Sequence, residues 1–537
     1  MGCHSIPFRR LPHSPKLFVR FVDDFSSVAK FYAHPPNMEV VEEVAKTLDF
    51  PVERRKGVTA ILREQNAAFG GSPATQSNLD GLEKGAVAVV SGQQVGLFGG
   101  PAYAFYKALT AIQIAAELRQ TGIPAVPVFW MATEDHDLEE VRHVSWFDSG
   151  KLLRFELPSE GAPGRPVGQV QLGAGIEKHA AEAAALLTGP GSEAIAQILL
   201  ESYRPEETYG SAFGKLFARL FAEQGLILLD PLDARLHRIA APLYRRALEE
   251  RDALNEELLQ RGEDLKRAGF DAQVKVTTRS TLLFSLRDGV RQAITASNGK
   301  FKAGEVSWAR EEALRRVDAE PETFSPNALL RSVVQDYFLP TAAYLGGPAE
   351  ISYFAQSEVV YRRLLGRMPV VLQRADFTLL DAKAEKLLQR YNLCIENIWS
   401  GPQELRRRME AVSVPPALSR KFERKKAQIE KDLEQLGKEI EKLDATLAGS
   451  VETARSKISF QLENLLRKTG RALDERNGLI AGYVEFLENL LYPNKTLQSR
   501  QLCFLPFLAR WGMEGLKQLQ ELSGSANLKE HRILRVP

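Results

Sequence analysis

Residues 86 to 130 constrain the fold most. An apolar, β-rich run, Ala86 to Val90, is followed by a glycine-rich loop, an amphipathic stretch opening near Pro101, and a second apolar run, Val126 to Trp130. Short apolar runs bounded by turn residues read as strands buried on both faces, and the 3.6-residue pattern between them reads as a helix. Parallel strands need a crossover of about a dozen residues or more, and this helix is long enough to provide one. Such a unit belongs in a layered α/β domain with helices covering the sheet.

Other segments extend the pattern. Leu226 to Leu229 ends in Asp230-Pro231 after a helical stretch around Phe213 to Gln224, and Val370 to Leu372 reads as another buried strand. Alternating strands and helices predict an open, doubly wound sheet over residues 1–375. Helical insertions are expected near 157–205, and a more variable one near 288–325. The 537 residues exceed what one hydrophobic core organises, so at least one further unit is required. From 376 to 500 the composition shifts to Leu, Glu, Lys, Arg and Gln. Apolar residues at Ile429, Leu433, Leu436, Ile440, Leu443, Leu447, Val451, Ala454 and Ile458 alternate in fours and threes, the seam of a coiled coil. Gly401-Pro402, Val414-Pro415-Pro416, Gly470 and Gly478 interrupt it, so several helices should fold back on one another, as an internal hairpin or a dimer contact. The segment 501–537 regains aromatic residues and is expected to return to the core.

The charge balance, 70 Lys plus Arg against 68 Asp plus Glu, supplies no global field to recruit nucleic acid or a membrane surface. Cys3, Cys394 and Cys503 are far apart and form no CxxC pair, which predicts inert thiols in a reducing cytosol and no metal site of the zinc–thiolate kind. Pro7, Pro12 and Pro15 interrupt the N-terminal stretch, and no run approaches the ~20 apolar residues of a membrane span. The expectation is a cytoplasmic protein.

Three constellations can carry chemistry. Ser91-Gly92-Gln93-Gln94-Val95-Gly96-Leu97-Phe98-Gly99-Gly100-Pro101 follows a strand and opens a helix, placing backbone N–H groups and a positive helix end beside any ligand. Its spacing matches neither GxGxxG nor GxxxxGK[ST], and a tight turn capped by Pro101 is the alternative. Gln93 and Gln94 can each donate and accept, which favours ligand contact. Tyr106 and Lys107 follow on the helix; Lys107 either reaches an anion or is solvated. The second constellation, Thr133-Glu134-Asp135-His136-Asp137, falls at the carboxyl edge of a strand, where open α/β sheets bind ligands. Asp137 with Glu140 has capping-box spacing, which accounts for Asp137 alone. Three carboxylates packed around one imidazole would raise its pKa and suit His136 to general-base, metal or hydrogen-bonding work. His143 and His237 lack that setting. The third, Tyr344 to Phe354, repeats GGPA followed four residues later by tyrosine, so Tyr344, Gly346, Gly347 and Glu350 could face an anionic substrate across from the first loop. Glu350 serves either an amine or its own helix terminus. Gln273-Val274, Gln356 and Gln373-Arg374-Ala375-Asp376 are weaker candidates for the same pocket.

SGQQVGLFGGP, VPVFWMATEDHD and LGGPAEISYFAQ, in this order and spacing along essentially the whole chain, resemble the BshC family of bacillithiol biosynthesis. The resemblance implies a Rossmann-like core with connecting-peptide insertions, akin to nucleotidyl transferases and class I aminoacyl-tRNA synthetases, and a C-terminal coiled coil used for homodimerisation. It implies a ligase adding cysteine to glucosaminyl-malate, with ATP and Mg²⁺ as expected cofactors. His136, aided by Glu134 or Asp135, would handle the amine proton or orient a substrate. Ser91, Gln93, Gln94, Gly99, Gly100, Tyr106, Lys107, Thr133, Tyr344, Gly346, Gly347 and Glu350 would bind substrates. HIGH and KMSKS sequences are absent, so activation as an adenylate or as an acyl phosphate stays open. Two other readings compete: a dimeric, non-catalytic nucleotide-binding scaffold, and a nucleotidyl or glycosyl transferase using the same cleft.

Overall fold

A computed structural model describes residues 4–158, 164–412, 414 and 416–536. Cys3 and part of the first expected insertion lie outside them. The chain forms two compact units. The first is built from the N-terminal segment through Asp148, from Leu153–Thr378, and from Ser499–Leu534. The second is built mainly from Leu379–Gln498.

At the centre of the first unit is a five-stranded sheet: β1 (Val87–Gln93), β2 (Ala125–Met131), β3 (Ile227–Leu229), β4 (Thr341–Gly346) and β5 (Val370–Gln373). Every pairing is parallel and the spatial order is β5-β4-β1-β2-β3. Val87 to Val90 and all of β2 are buried, as expected of strands covered on both faces. The crossover from β1 to β2 is helix α1 (Tyr103–Gln120), preceded by the turn in which Gly99 and Gly100 adopt φ of +84° and +70°. The chain builds outward from β1 through β2 to β3, then returns to the other side of β1 for β4 and β5. The order therefore reverses between β1 and β4, whose carboxyl ends flank a crevice. Two helices bound it further: α2 (Ala328–Phe338), and α3 (Pro348–Leu364), which begins directly after β4 with Pro348 in its first turn.

The region read as a variable insertion near 288–325 is a regular antiparallel sheet that starts earlier, at Ser280. Its strands, in spatial order, are Val306–Ala309, Lys300–Ala303, Val290–Ser297, Ser280–Arg287 and Phe324–Pro326. The first insertion carries a helical pair, Gly175–Ala185 and Ser192–Ser202.

In the second unit, helices Pro416–Leu443 and Ala448–Asn477 form a hairpin, tied in part by Lys426 to Glu463 at 2.6 Å. The apolar seam that reads as one run from Ile429 to Ile458 is folded in two here, at Asp444–Leu447. Leu443, Leu447 and Val451 keep their four-residue spacing through the turn, so periodicity alone conceals it. Gly470 is no break either. It sits inside Ala448–Asn477, where a Cβ would collide with the Glu410 carbonyl, so its bare Cα admits helix Pro402–Val412. Gly478, with φ of +62°, does separate two helices. No described helix is long and apolar enough to cross a membrane.

Candidate active site

The carboxyl ends of β1, β2 and β4, the start of α3 and the antiparallel sheet enclose a cavity of about 680 Å³. Six cationic side chains line it, Lys107, Lys275, Arg291, Arg331, Arg374 and Arg500, against four carboxyls, Glu134, Asp135, Glu140 and Glu350.

At the reversal point Lys107, only 3% exposed, donates to the Gly92 carbonyl at 2.7 Å and to Gln93 Oε1 at 2.8 Å, and forms an ion pair with Glu350. Burial pushes the ammonium down to about 8, with Glu350 opposing the shift. Burial alone would raise the Glu350 carboxyl. Lys107, the Tyr344 hydroxyl at 2.5 Å and the Gly347 N–H at 2.8 Å outweigh it, holding Glu350 below the usual carboxylate range. The pair is thus charged at neutral pH, and Glu350 serves both Lys107 and its own helix terminus. Gly92 permits this arrangement: a Cβ there would lie 2.6 Å from the Trp130 carbonyl, so any larger residue would push β1 and β2 apart.

Arg331, from α2, donates to the Tyr353 hydroxyl at 2.8 Å and lies over the Trp130 ring at 5.8 Å. Trp130 and Arg374 line the cavity, and their Nε1 and Nε atoms are buried donors without a hydrogen-bond acceptor among the described residues. Buried donors are ordinarily satisfied, so these two leave hydrogen-bonding capacity unused beside the cavity.

On the opposite wall Gln94 donates to Asp135 Oδ2 at 2.7 Å, and Asp135 Oδ1 accepts the His136 N–H at 2.7 Å. The His136 ring does not sit among three carboxylates. Its Nδ1 is 3.6 Å from Asp135 and 3.2 Å from Arg291, while Asp137 caps the short helix Leu138–Val141. Glu134 turns inward to His237, Oε1 to Nε2 3.5 Å. Burial raises Glu134 to about 8 and lowers His237 to about 4, so both are neutral at pH 7. Burial also raises Glu140, with Gln94 opposing.

A family model described as the bacillithiol biosynthesis BshC N-terminal Rossmann-like domain matches residues 1–375, and the BshC C-terminal coiled-coil domain matches 377–536. Curated relatives bearing the name "Putative cysteine ligase BshC" include one from Koribacter versatilis, 41% identical over 99% of both chains. Another, from Solibacter usitatus, is 38% identical over the whole of both, and one from Salinibacter ruber is 33% identical over 97% of this chain and 96% of its own. The chain belongs to the BshC family. It is therefore a ligase, which supersedes the scaffold and transferase readings.

Within this BshC fold the residues singled out by sequence divide into three groups, with Tyr106 outside all of them. Gln93, Gln94, Lys107, Glu134, Asp135, His136, Gly347 and Glu350 line the cavity together. Ser91, Thr133, Tyr344 and Gly346 stand behind it. Ser91 donates to the Leu345 carbonyl at 2.8 Å, bracing β1 against β4, and Thr133 donates to Asp230 at 2.5 Å. Gly99 and Gly100 line an adjoining recess of about 170 Å³ that shares Gln93, Gln94, Tyr103, Glu140 and Arg500 with the cavity. Their N–H groups are occupied, Gly99 by Gly96 O and the Tyr203 hydroxyl, Gly100 by Leu97 O, so the turn has no free donors there for an anion. Tyr106 is buried against Phe377 and Phe504, away from both. The recurrent GGPA-to-tyrosine pattern thus has two outcomes, since its second tyrosine, Tyr353, does reach the cavity. Gln356 clamps both backbone groups of Val274 at 2.8 Å each, fixing a cavity-lining segment. Sequence reasoning missed Arg291, Arg331 and Arg500. Each is a lone arginine in an ordinary local pattern, and only the fold gathers them.

Proposed function

We propose that this cavity joins the carboxyl of cysteine to the amine of glucosaminyl-malate, with ATP activating the carboxyl. The observation that carries the reading is the charge surplus. Six cationic side chains face four carboxyls, of which Glu134 is neutral at pH 7, a lining suited to phosphates and to the malyl carboxylates. A carboxylate does not accept an amine until it is activated. Its oxygen attacks ATP, releasing pyrophosphate to leave an adenylate or ADP to leave an acyl phosphate. The sugar amine then attacks the carbonyl, AMP or phosphate departs, and the new amide loses a proton. On this reading the cavity-lining Arg331, Arg374 and Arg500 compensate the charge that develops on the departing group. Mg²⁺ would arrive on the nucleotide, with Asp135 and Glu140 on the His136 wall as the carboxylates to meet it.

For His136 the geometry favours orienting over proton removal. A guanidinium only donates, so Arg291 makes Nδ1 the acceptor and leaves the neutral ring's hydrogen on Nε2, a donor for a substrate oxygen. Incubating the protein with cysteine, glucosaminyl-malate and Mg-ATP, with mass spectrometry of thiol and nucleotide products, tests this reading. A new thiol with stoichiometric AMP or ADP is expected. Its absence with a folded protein that binds both substrates overturns it.

The reading includes a homodimer through the helical hairpin. Of the eleven large apolar residues that are exposed among the described ones, six lie there: Leu436, Leu443, Leu447, Ile458, Phe460 and Leu465. A second copy would cover that surface.

A further inference from the structure

The C-terminal strand Glu530–Arg535 brings a histidine into the first unit that no step described so far uses. His531 is fully buried. Its Nδ1 is 2.9 Å from Asp376 Oδ2 and its Nε2 is 2.8 Å from Thr378 Oγ1. The other oxygen of Asp376 accepts from Arg374 NH1 at 2.7 Å, and the same NH1 donates to the Ala375 carbonyl at 2.8 Å. Arg374, 2% exposed, lines the cavity with its Nε–H unsatisfied.

Each contact fixes the next. Burial opposes ionisation of Asp376, yet Arg374 and His531 together hold its carboxyl far below the usual range, so Asp376 is an anion. A carboxylate without its proton can only accept, so His531 donates from Nδ1, while its Nε2 shares a hydrogen bond with the Thr378 hydroxyl. Asp376 is held from two sides and can grip one edge of the guanidinium, leaving the Nε–H edge without an acceptor. Arginine's planar fork makes this division geometric: pinning NH1 also orients Nε–H. The indole N–H of Trp130, another cavity-lining residue, is likewise buried and unsatisfied.

We infer that His531 and Asp376 are positioning residues, a buried relay that holds the guanidinium of Arg374, a cavity-lining residue, for an anionic group of the substrate. The relay passes from the segment matched by the coiled-coil family model into the Rossmann-like core. The anion as substrate rests on the proposed function; the relay itself does not.

The test is calorimetric binding of malate, inorganic pyrophosphate and glucosaminyl-malate to wild type, His531→Asn, His531→Leu, Arg374→Gln and the double variant Arg374→Gln/His531→Leu. At least one anion should bind wild type. Arg374→Gln and His531→Leu should each weaken that anion about tenfold. His531→Asn, which keeps a donor near the Nδ1 position, should stay within about threefold. The double variant should be no weaker than Arg374→Gln alone, because residues acting as one unit are non-additive. A merely structural His531 would instead give losses that add, and that result overturns the relay, as does wild-type affinity in folded His531→Leu or no anion binding to wild type. If His531→Leu does not fold, the similarly shaped Asp376→Asn takes its place, and unchanged affinity there also overturns the relay. Relay-dependent binding of malate or pyrophosphate without binding of glucosaminyl-malate would reject the proposed substrate and keep the relay. Thiol formation that is indifferent to His531→Leu would do the reverse.

Discussion

At the residue scale the cavity depends on groups whose protonation the fold has shifted. Glu134 is raised by burial from 4.5 to about 8, so the folded state keeps a proton that the unfolded chain releases near 4.5. Its contribution to stability is therefore complete below pH 4.5 and is lost as pH rises through about 8. His237, lowered to about 4, acts in the opposite sense but only below its ordinary value of 6.5. Between pH 6.5 and 8, then, wild type should lose stability relative to Glu134→Gln by a slope approaching ~1.4 kcal/mol per pH unit. Urea titrations at a series of pH values measure this, and parallel curves for the two proteins would refute the assignment. Arg291 gives a second prediction. Its Nε binds Ser325 at 2.9 Å, its NH2 the Pro326 carbonyl at 2.7 Å, and its NH1 meets His136. Lysine cannot span three acceptors, so Arg291→Lys should cut kcat/KM at least tenfold, and steady-state kinetics on the folded variant decide it.

At the element scale the site is made by the closeness of β1 to β2 and by the reversal of strand order beside β1. Gly92→Ala would set a Cβ against the Trp130 carbonyl, which belongs to the neighbouring strand's backbone and cannot turn aside. The expected cost is ~1–3 kcal/mol, seen as a lower denaturation midpoint, with ligation lost in step. The β1, loop, α1, β2 unit is legible in sequence because its apolar runs and helical period are local properties, and the strands at Ile227–Leu229 and Val370–Gln373 are legible for the same reason. The hairpin turn at Asp444–Leu447 is not, since its leucines keep the helical interval on both sides. Nor is the partner of Lys107 legible: the sequence allows it an anion or solvent, and only the placement of α3 after β4 brings Glu350 to it. Glycines at the Gly99–Gly100 turn resemble an anion cradle, yet their donors are taken within the protein, which depends on Tyr203 from far along the chain.

At the scale of the whole molecule, the proposed dimer makes a separable prediction. Replacing Leu436 and Phe460 together by glutamate should turn a dimer into a monomer in analytical ultracentrifugation while leaving the circular dichroism of the core unchanged; a dimer that persists would place the interface elsewhere. If the cavity between β1 and β4 performs the ligation, His136 is the residue to change, with little risk to folding because its side chain is 41% exposed. The decisive measurement is the yield of thiol product by mass spectrometry from cysteine, glucosaminyl-malate and Mg-ATP, for wild type and His136→Ala with equal unfolding midpoints. A fall of about a hundredfold or more in the variant is predicted; equal yields from the two proteins would contradict the account.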